Sequence, residues 1–277
     1  MFSFRSKKEK PVVKSLCSIA DPNAPFNYVE AYKMLCTNIE FLRATQKCKN
    51  IMTTSTLANE GKTNISVNLA LTLSGYNKSV CLVECDLRRP TIHRYIASNK
   101  NSYGLTNVLK GQVELSSVLH KVSGTKMSIL LAGSIPPNPS ELLSSPNMKK
   151  LVDDLEERFD YVIYDTPPVF LVTDAAALGK YMDGAVFVIK HNSTEKGIVI
   201  QAKKNLESAG VKILGAIYST YSTKSSGSYS NYSKYNYYDY YSIPDSEGTS
   251  GASHSNTPNS RHSTSRKHAD DDDVVEV

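Results

Sequence analysis

The stretch NIMTTSTLANEGKT, residues 50–63, continues into NISVNLALTLS. It sets a glycine, a lysine and a hydroxyl in succession between a short β-branched run and a helical one. Such a turn can hold phosphate. Gly61 lets the backbone come close to a ligand, the surrounding amides point at anionic oxygens, Lys62 reaches the outer phosphates of a nucleotide, and the Thr63 hydroxyl suits Mg²⁺. The nucleotide-binding set is therefore Ala58, Asn59, Glu60, Gly61, Lys62, Thr63 and Asn64. Thr56 stands where the first glycine of GxxxxGK[ST] usually does.

Two further stretches carry acids of the same chemistry. CLVECDLRRP ends an apolar run in Glu84 and Asp86, and YVIYDTPP ends another in Asp165. In a parallel sheet the carboxyl ends of the strands share one edge with the phosphate loop, so the three carboxylates can converge on Mg²⁺ and ATP. One can hold the metal, directly or through water, and another can take a proton from an attacking hydroxyl.

These groups need a scaffold that brings strand ends together. Near-continuous apolar runs at 50–55, 79–85, 127–133, 161–166, 185–190 and 212–218 read as strands buried on both faces. Helical periods at 62–75, 147–157 and 196–209 lie between them. The expected fold is α/β, a doubly wound and mainly parallel sheet of the P-loop type. Ahead of it, NYVEAYKMLCTNIEFLRAT spaces Val29, Tyr32, Leu35, Ile39 and Leu42 as an amphipathic helix.

Composition bounds the rest. With 277 residues, 40% of them hydrophobic, the chain can form one large α/β domain plus a tail. No leader and no membrane-spanning run is read, and the five cysteines show no CxxC pair, so packed thiols are expected rather than disulfides or zinc. From Ser219 onward there are five basic residues against eight acids, which leaves 27 basic and 19 acidic residues in the body. That surplus of eight suits an anionic ligand or an anionic membrane face; no nucleic acid partner is expected. Residues 220–277 are rich in Ser, Tyr, Asn, Gly and Asp and are expected to be disordered. Within them SYSNYSKYNYYDYYS, 228–242, holds seven of the 17 tyrosines.

Taken together, ANEGKTNISVNLA, VECDLRRP, GLTNVLKG, LLAGSIPPNPSELLSS, YVIYDTPPV and TDAAALGKYMDGAVFVIK resemble the cytoplasmic bacterial tyrosine kinases of capsule and exopolysaccharide assembly. The similarity runs from about residue 25 to 218. Related partitioning and septum-site ATPases carry a second lysine early in the loop, where this chain has Leu57. The resemblance implies a basic arm at 1–24, a kinase domain at 25–219 and a phosphate-accepting tail. It implies ATP and Mg²⁺ as cofactors and autophosphorylation, by a neighbouring subunit, of Tyr229, Tyr232, Tyr235, Tyr237, Tyr238, Tyr240 and Tyr241. By the same resemblance Lys62 would neutralise the γ-phosphate, Thr63, Asp86 and Asp165 would serve the metal, Glu84 and Asp86 would supply metal contact and base, and Arg88 would steady the acids or the phosphate. Implied partners are a membrane adaptor of the chain-length-regulator kind, which would hold the cytoplasmic kinase at the inner membrane face, and polysaccharide-pathway enzymes as substrates.

The chain departs from the family pattern at Glu84, where Asp is usual, and at Lys33 and Cys36, where arginines bind the next subunit of a ring. Glu30 and Lys33 are the candidate oligomer contacts, with weak assembly expected because Lys lacks the planar fork of Arg. A nucleotide-dependent ATPase switch or scaffold without kinase activity is the alternative reading.

Overall fold

The computed structural model describes residues 19–96 and 103–219. Residues 1–18 of the basic arm, Cys17 and the seven clustered tyrosines lie outside the described residues, as does the whole of the expected tail.

In chain order the elements are α1 (Phe26–Thr45), β1 (Asn50–Ser55), α2 (Lys62–Gly75), β2 (Val80–Glu84), a 3₁₀ turn (Ile92–Arg94), α3 (Leu105–Leu109), α4 (Leu115–Val118), β3 (Leu119–Lys121), β4 (Met127–Leu130), α5 (Pro139–Leu143), α6 (Pro146–Arg158), β5 (Tyr161–Asp165), α7 (Asp174–Gly179), β6 (Gly184–Lys190), α8 (Lys196–Ser208) and β7 (Ile213–Ser219). The seven strands form one sheet in the order β3-β4-β2-β5-β1-β6-β7. Every pairing is parallel except β3 with β4. The expected doubly wound, mainly parallel sheet is thus present, with a short antiparallel edge added.

Helices cover both faces of the sheet, so β1, β2 and β5 are buried along their whole lengths, as continuous apolar runs require. On one face Ile39, Leu69, Leu73, Leu82 and Ile163 share a core with residues of α1 and α2. On the other Leu105, Leu143, Met148, Leu155, Val83 and Tyr164 form a second. Helix α2 lies under α1 with all but its last residue buried. α1 is tied to its first turns by hydrogen bonds: the Tyr28 and Tyr32 hydroxyls donate to Asn64 Oδ1 at 3.1 and 3.4 Å, and Asn68 Nδ2 donates to the Tyr28 hydroxyl at 3.0 Å. The helix that carries the phosphate-loop lysine is therefore clamped from both sides.

Register fixes which residues meet at the functional rim. Asp165 at the end of β5 pairs with Thr53 of β1 on one side and Glu84 of β2 on the other. Across the same edge Gly104 packs against the exit of β4, with the Leu105 amide donating to Leu131 O at 2.7 Å. A Cβ on Gly104 would stand 2.1 Å from Leu131 O and 2.6 Å from Gly133 N, both backbone atoms that cannot step aside. Gly104→Ala is expected to destabilise the fold by about 3 kcal/mol. Gly75→Ala, where a Cβ would meet nothing within 4 Å, should leave urea stability unchanged or slightly raised. Urea unfolding of the two variants checks this.

Candidate active site

The phosphate loop is built by two residues in left-handed conformation. Asn59 has φ 65° and Gly61 has φ 92°; asparagine and glycine are the types that tolerate this region. The carboxylate of Glu60, nearly fully buried, accepts from the Leu57 amide at 2.9 Å and from the Thr194 hydroxyl. Its carbonyl accepts from the Ser219 hydroxyl at 3.0 Å. Glu60 therefore braces the loop from within. Thr56, at the position of the missing first glycine, is fully buried, and its hydroxyl has no hydrogen-bond partner among the described residues.

A cavity of about 460 Å³ opens over the loop. Ala58, Asn59, Gly61, Lys62, Thr63 and Asn64 line it, together with Asp86 and Arg88. The Lys62 ammonium donates to Asp86 Oδ2 at 3.1 Å, and the Thr63 hydroxyl donates to Asp165 Oδ2 at 2.8 Å. The Ser66 hydroxyl donates to the other Asp165 oxygen at 3.0 Å, and the Thr91 hydroxyl to Thr63 Oγ1 at 3.2 Å. Burial opposes the charge on Lys62, but Asp165 and Asp86 outweigh it and hold the ammonium above its ordinary range. Burial pushes the Asp165 carboxyl up, with Lys62 and Thr63 pulling the other way. Lys62, Thr63, Asp86 and Asp165 thus form one connected cluster.

Glu84 stands beside this cluster, within the field of Lys62 and Asp165, but its hydrogen bonds go to other partners. The ladder to β5 runs on to Cys85, whose amide donates to Asp165 O at 2.8 Å, and the chain then turns at Asp86, where the Leu87 amide donates back to Cys85 O at 3.0 Å. Glu84 consequently points beneath the loop that follows, while Asp86 reaches the cavity. Both Glu84 oxygens are occupied by backbone amides, Oε1 by Thr91 and Ile92 at 2.6 Å each and Oε2 by Ala132 at 3.1 Å. Burial pushes this carboxyl up to about 7, although the three amides favour its charged form. Through these bonds Glu84, one of the expected acidic pair, joins β2, the 91–92 turn and the exit of β4.

Arg88 lines the cavity in the field of Asp86 but is paired with a different acid. Its Nε and Nη2 donate to the two oxygens of Asp174 at 2.7 and 3.0 Å, so its nearest acid is the fully buried N-terminal residue of α7. Ser140 of α5 hydrogen-bonds the same carboxylate. On the exposed side of α1, Lys33 and Glu30 pair with each other at 2.7 Å. Cys36 points inward, 1% exposed, and burial pushes its thiol up to about 12. Cys48, Cys81 and Cys85 are buried too, as packed thiols. Residues not singled out from sequence also line the cavity, among them Arg89, Thr91, Arg94, Tyr95, Pro167 and Leu171. RRP and TPP end the stretches CLVECDLRRP and YVIYDTPP, and only the fold shows that they turn toward the same space.

A family profile described as AAA domain matches residues 49–195. The tyrosine-protein kinase YwqD of Bacillus subtilis is 40% identical over 188 residues, 68% of this chain and 79% of that protein. The chain belongs to the bacterial tyrosine kinase family. Among solved structures, the chimerical protein CapA2B2 matches with a TM-score of 0.70 and 30% identity, over 77% of this chain and 93% of that one. The kinase domain of the Escherichia coli tyrosine kinase ETK matches with a TM-score of 0.68 and 30% identity, over 82% and 88%. As a P-loop tyrosine kinase, the chain carries its charged cluster at the carboxyl edge of the sheet, where this fold binds its ligands.

Removal of the Glu84 side chain leaves three buried amides without acceptors, each worth about 1–3 kcal/mol. Glu84→Ala is therefore expected to lose several kcal/mol of stability in urea, together with the order of the 91–92 turn. A variant as stable as the parent but devoid of kinase activity would instead return Glu84 to the chemistry.

Proposed function

We propose that this kinase transfers the γ-phosphate of ATP to the tyrosines of the 229–241 cluster on a neighbouring copy. The gathering of Lys62, Thr63, Asp86 and Asp165 along one rim, through contacts of 2.8–3.1 Å, carries the reading. In that site Lys62 leaves Asp86 to neutralise the outer phosphates, while the amides of the Gly61 turn hold the inner ones. Thr63, Asp165 and Asp86 offer only hard oxygens, a donor set that fits Mg²⁺. Mg²⁺, when bound, supplies charge neutralisation at the β- and γ-phosphate oxygens. Thr63 would hold it directly, with Asp165 fixing the hydroxyl from behind.

Among the described residues lining the cavity, Asp86 is the one carboxylate, so it is the proposed base. The tyrosine oxygen attacks the γ-phosphorus, the bond to the β-bridging oxygen breaks, the phenolic proton passes to Asp86, and ADP leaves. Arg88, held by Asp174, steadies charge at the mouth. A tail on a neighbouring copy brings many acceptors at high effective concentration, so no single tyrosine needs a fixed pose.

Lys62→Met is expected to lower tail phosphorylation at least about 100-fold, as removal of an electrostatic stabiliser does, and Asp165→Asn to do the same. Asp165→Asn also removes a buried charge while keeping an isosteric partner for Thr63 and Ser66. Its urea stability should fall by no more than about 1 kcal/mol. Mass spectrometry of the tail after incubation with ATP and Mg²⁺ checks the first effect. Equal phosphate on wild type and Lys62→Met, or none on wild type, contradicts the reading.

Among the described residues no helix is long and apolar enough to cross a membrane. In this reading a separate adaptor, its cytoplasmic segment docking on the kinase, brings it to the inner membrane face, and enzymes of polysaccharide synthesis are substrates in trans. Kinase activity should rise several-fold when the adaptor's cytoplasmic segment is added. Phosphotyrosine formation that is equal with and without that segment counts against the adaptor.

A further inference from the structure

Four cationic side chains line the cavity, and the chemistry above uses two of them. Lys62 is paired with Asp86 and Arg88 with Asp174. Arg89 and Arg94, on either side of the short turn after β2, are exposed and have no ion-pair partner among the described residues. Between them the Glu84 brace holds the backbone of Thr91 and Ile92, so the two guanidiniums stand on an anchored segment. The cavity also has an apolar wall. Leu171 lines it yet remains 60% exposed, its neighbour Phe170 is 40% exposed, and Tyr95 and Val172 complete that side.

Surplus positive charge beside exposed apolar surface does not match a polyphosphate, which is already served by Lys62 and the loop amides. It matches aromatic rings beside a carboxylate. An apolar wall takes the face of a phenol, a guanidinium stacks on a ring or pairs with an acid, and Arg is suited to both. The chain itself contains such a segment: in YYDYY, 237–241, Asp239 sits between two tyrosine pairs. Within 228–242 Asp239 is the one acid and Lys234 the one base, so the acidic contact this segment offers is Asp239, set among the tyrosines.

We propose that Arg89, Arg94 and Leu171 form the acceptor-selecting subsite of the kinase, with the 228–242 segment of a second copy as occupant and Asp239 as its chief acidic contact. The proposal rests on the kinase reading above and adds to it the class of acceptor. Selection works through binding: Arg89 and Arg94 hold the acid so that an adjacent phenol reaches Asp86.

The test uses the full chain and two synthetic peptides, one with the sequence of residues 228–242 and one carrying Asp239→Asn. In steady-state phosphorylation Arg89→Gln/Arg94→Gln should raise KM for the first peptide about fivefold or more, as the loss of two exposed charge contacts implies. KM for ATP should move less than twofold. Wild type should prefer the first peptide and the double variant should not, while Arg89→Lys/Arg94→Lys should restore part of the preference. A rise in ATP KM with peptide KM unchanged assigns the arginines to the nucleotide and overturns the proposal. So does a wild type that treats the two peptides alike.

Fluorescence anisotropy of the labelled peptides separates this claim from the kinase reading. Arginine- and Asp239-dependent binding without phosphorylation sinks the kinase reading and keeps the subsite. Binding that ignores both sinks the subsite.

Discussion

A carboxylate without any exposed surface, Asp165, holds the site together. It ends the central strand β5, receives the Thr63 and Ser66 hydroxyls from the first turns of α2, and lies in the field of Lys62. Sheet and phosphate loop are thereby locked in one geometry, and every other functional contact is placed relative to that lock. An ionised group in such a position is costly unless it is paired and hydrogen-bonded. Here two hydroxyls and one ammonium offset the burial that would otherwise push its proton affinity higher.

The same economy explains the division of labour among the three strand-end acids. Asp165 is sealed and organises, Glu84 is sealed and braces, and Asp86 faces the cavity with one oxygen on Lys62 and the other accepting from the Arg89 amide at 2.9 Å. A base must meet its substrate, and a metal-organising acid must not wander. For the proposed roles the difference is access: all three acids are buried, and only Asp86, at 5% exposure, lines the cavity. The longer arm of Glu84 spans from β2 to amides on two loops, which gives the family's unusual acid here a structural use.

Much of this was legible in the sequence because it rests on local pattern. Apolar β-branched runs mark β1, β2, β5 and β6, and the GKT turn with a following helix marks the loop. Other features depend on where the chain turns. Glu84 and Asp86 are two residues apart, and an extended strand would put them on one face; the turn at Asp86 sends them apart. The pairing of Arg88 with Asp174 joins residues 86 positions apart, and no spacing rule reaches it. Strand β3 has only three residues, and α3, α4, α5 and α7 have four to six, too few for periodicity to register. The inward turn of Cys36 shows only once α1 is seen packed on the core.

The central claim is that one rim binds a magnesium nucleotide through this cluster. A crystal structure of the chain with Mg²⁺ and a non-hydrolysable ATP analogue tests it most directly. The account predicts phosphates seated on the Gly61–Thr63 turn, the Lys62 ammonium moved from Asp86 to phosphate oxygens, the metal on the Thr63 hydroxyl, and Asp86 facing the open end of the cavity. A nucleotide bound away from that turn, or a metal with no link to Thr63 or Asp165, would contradict it.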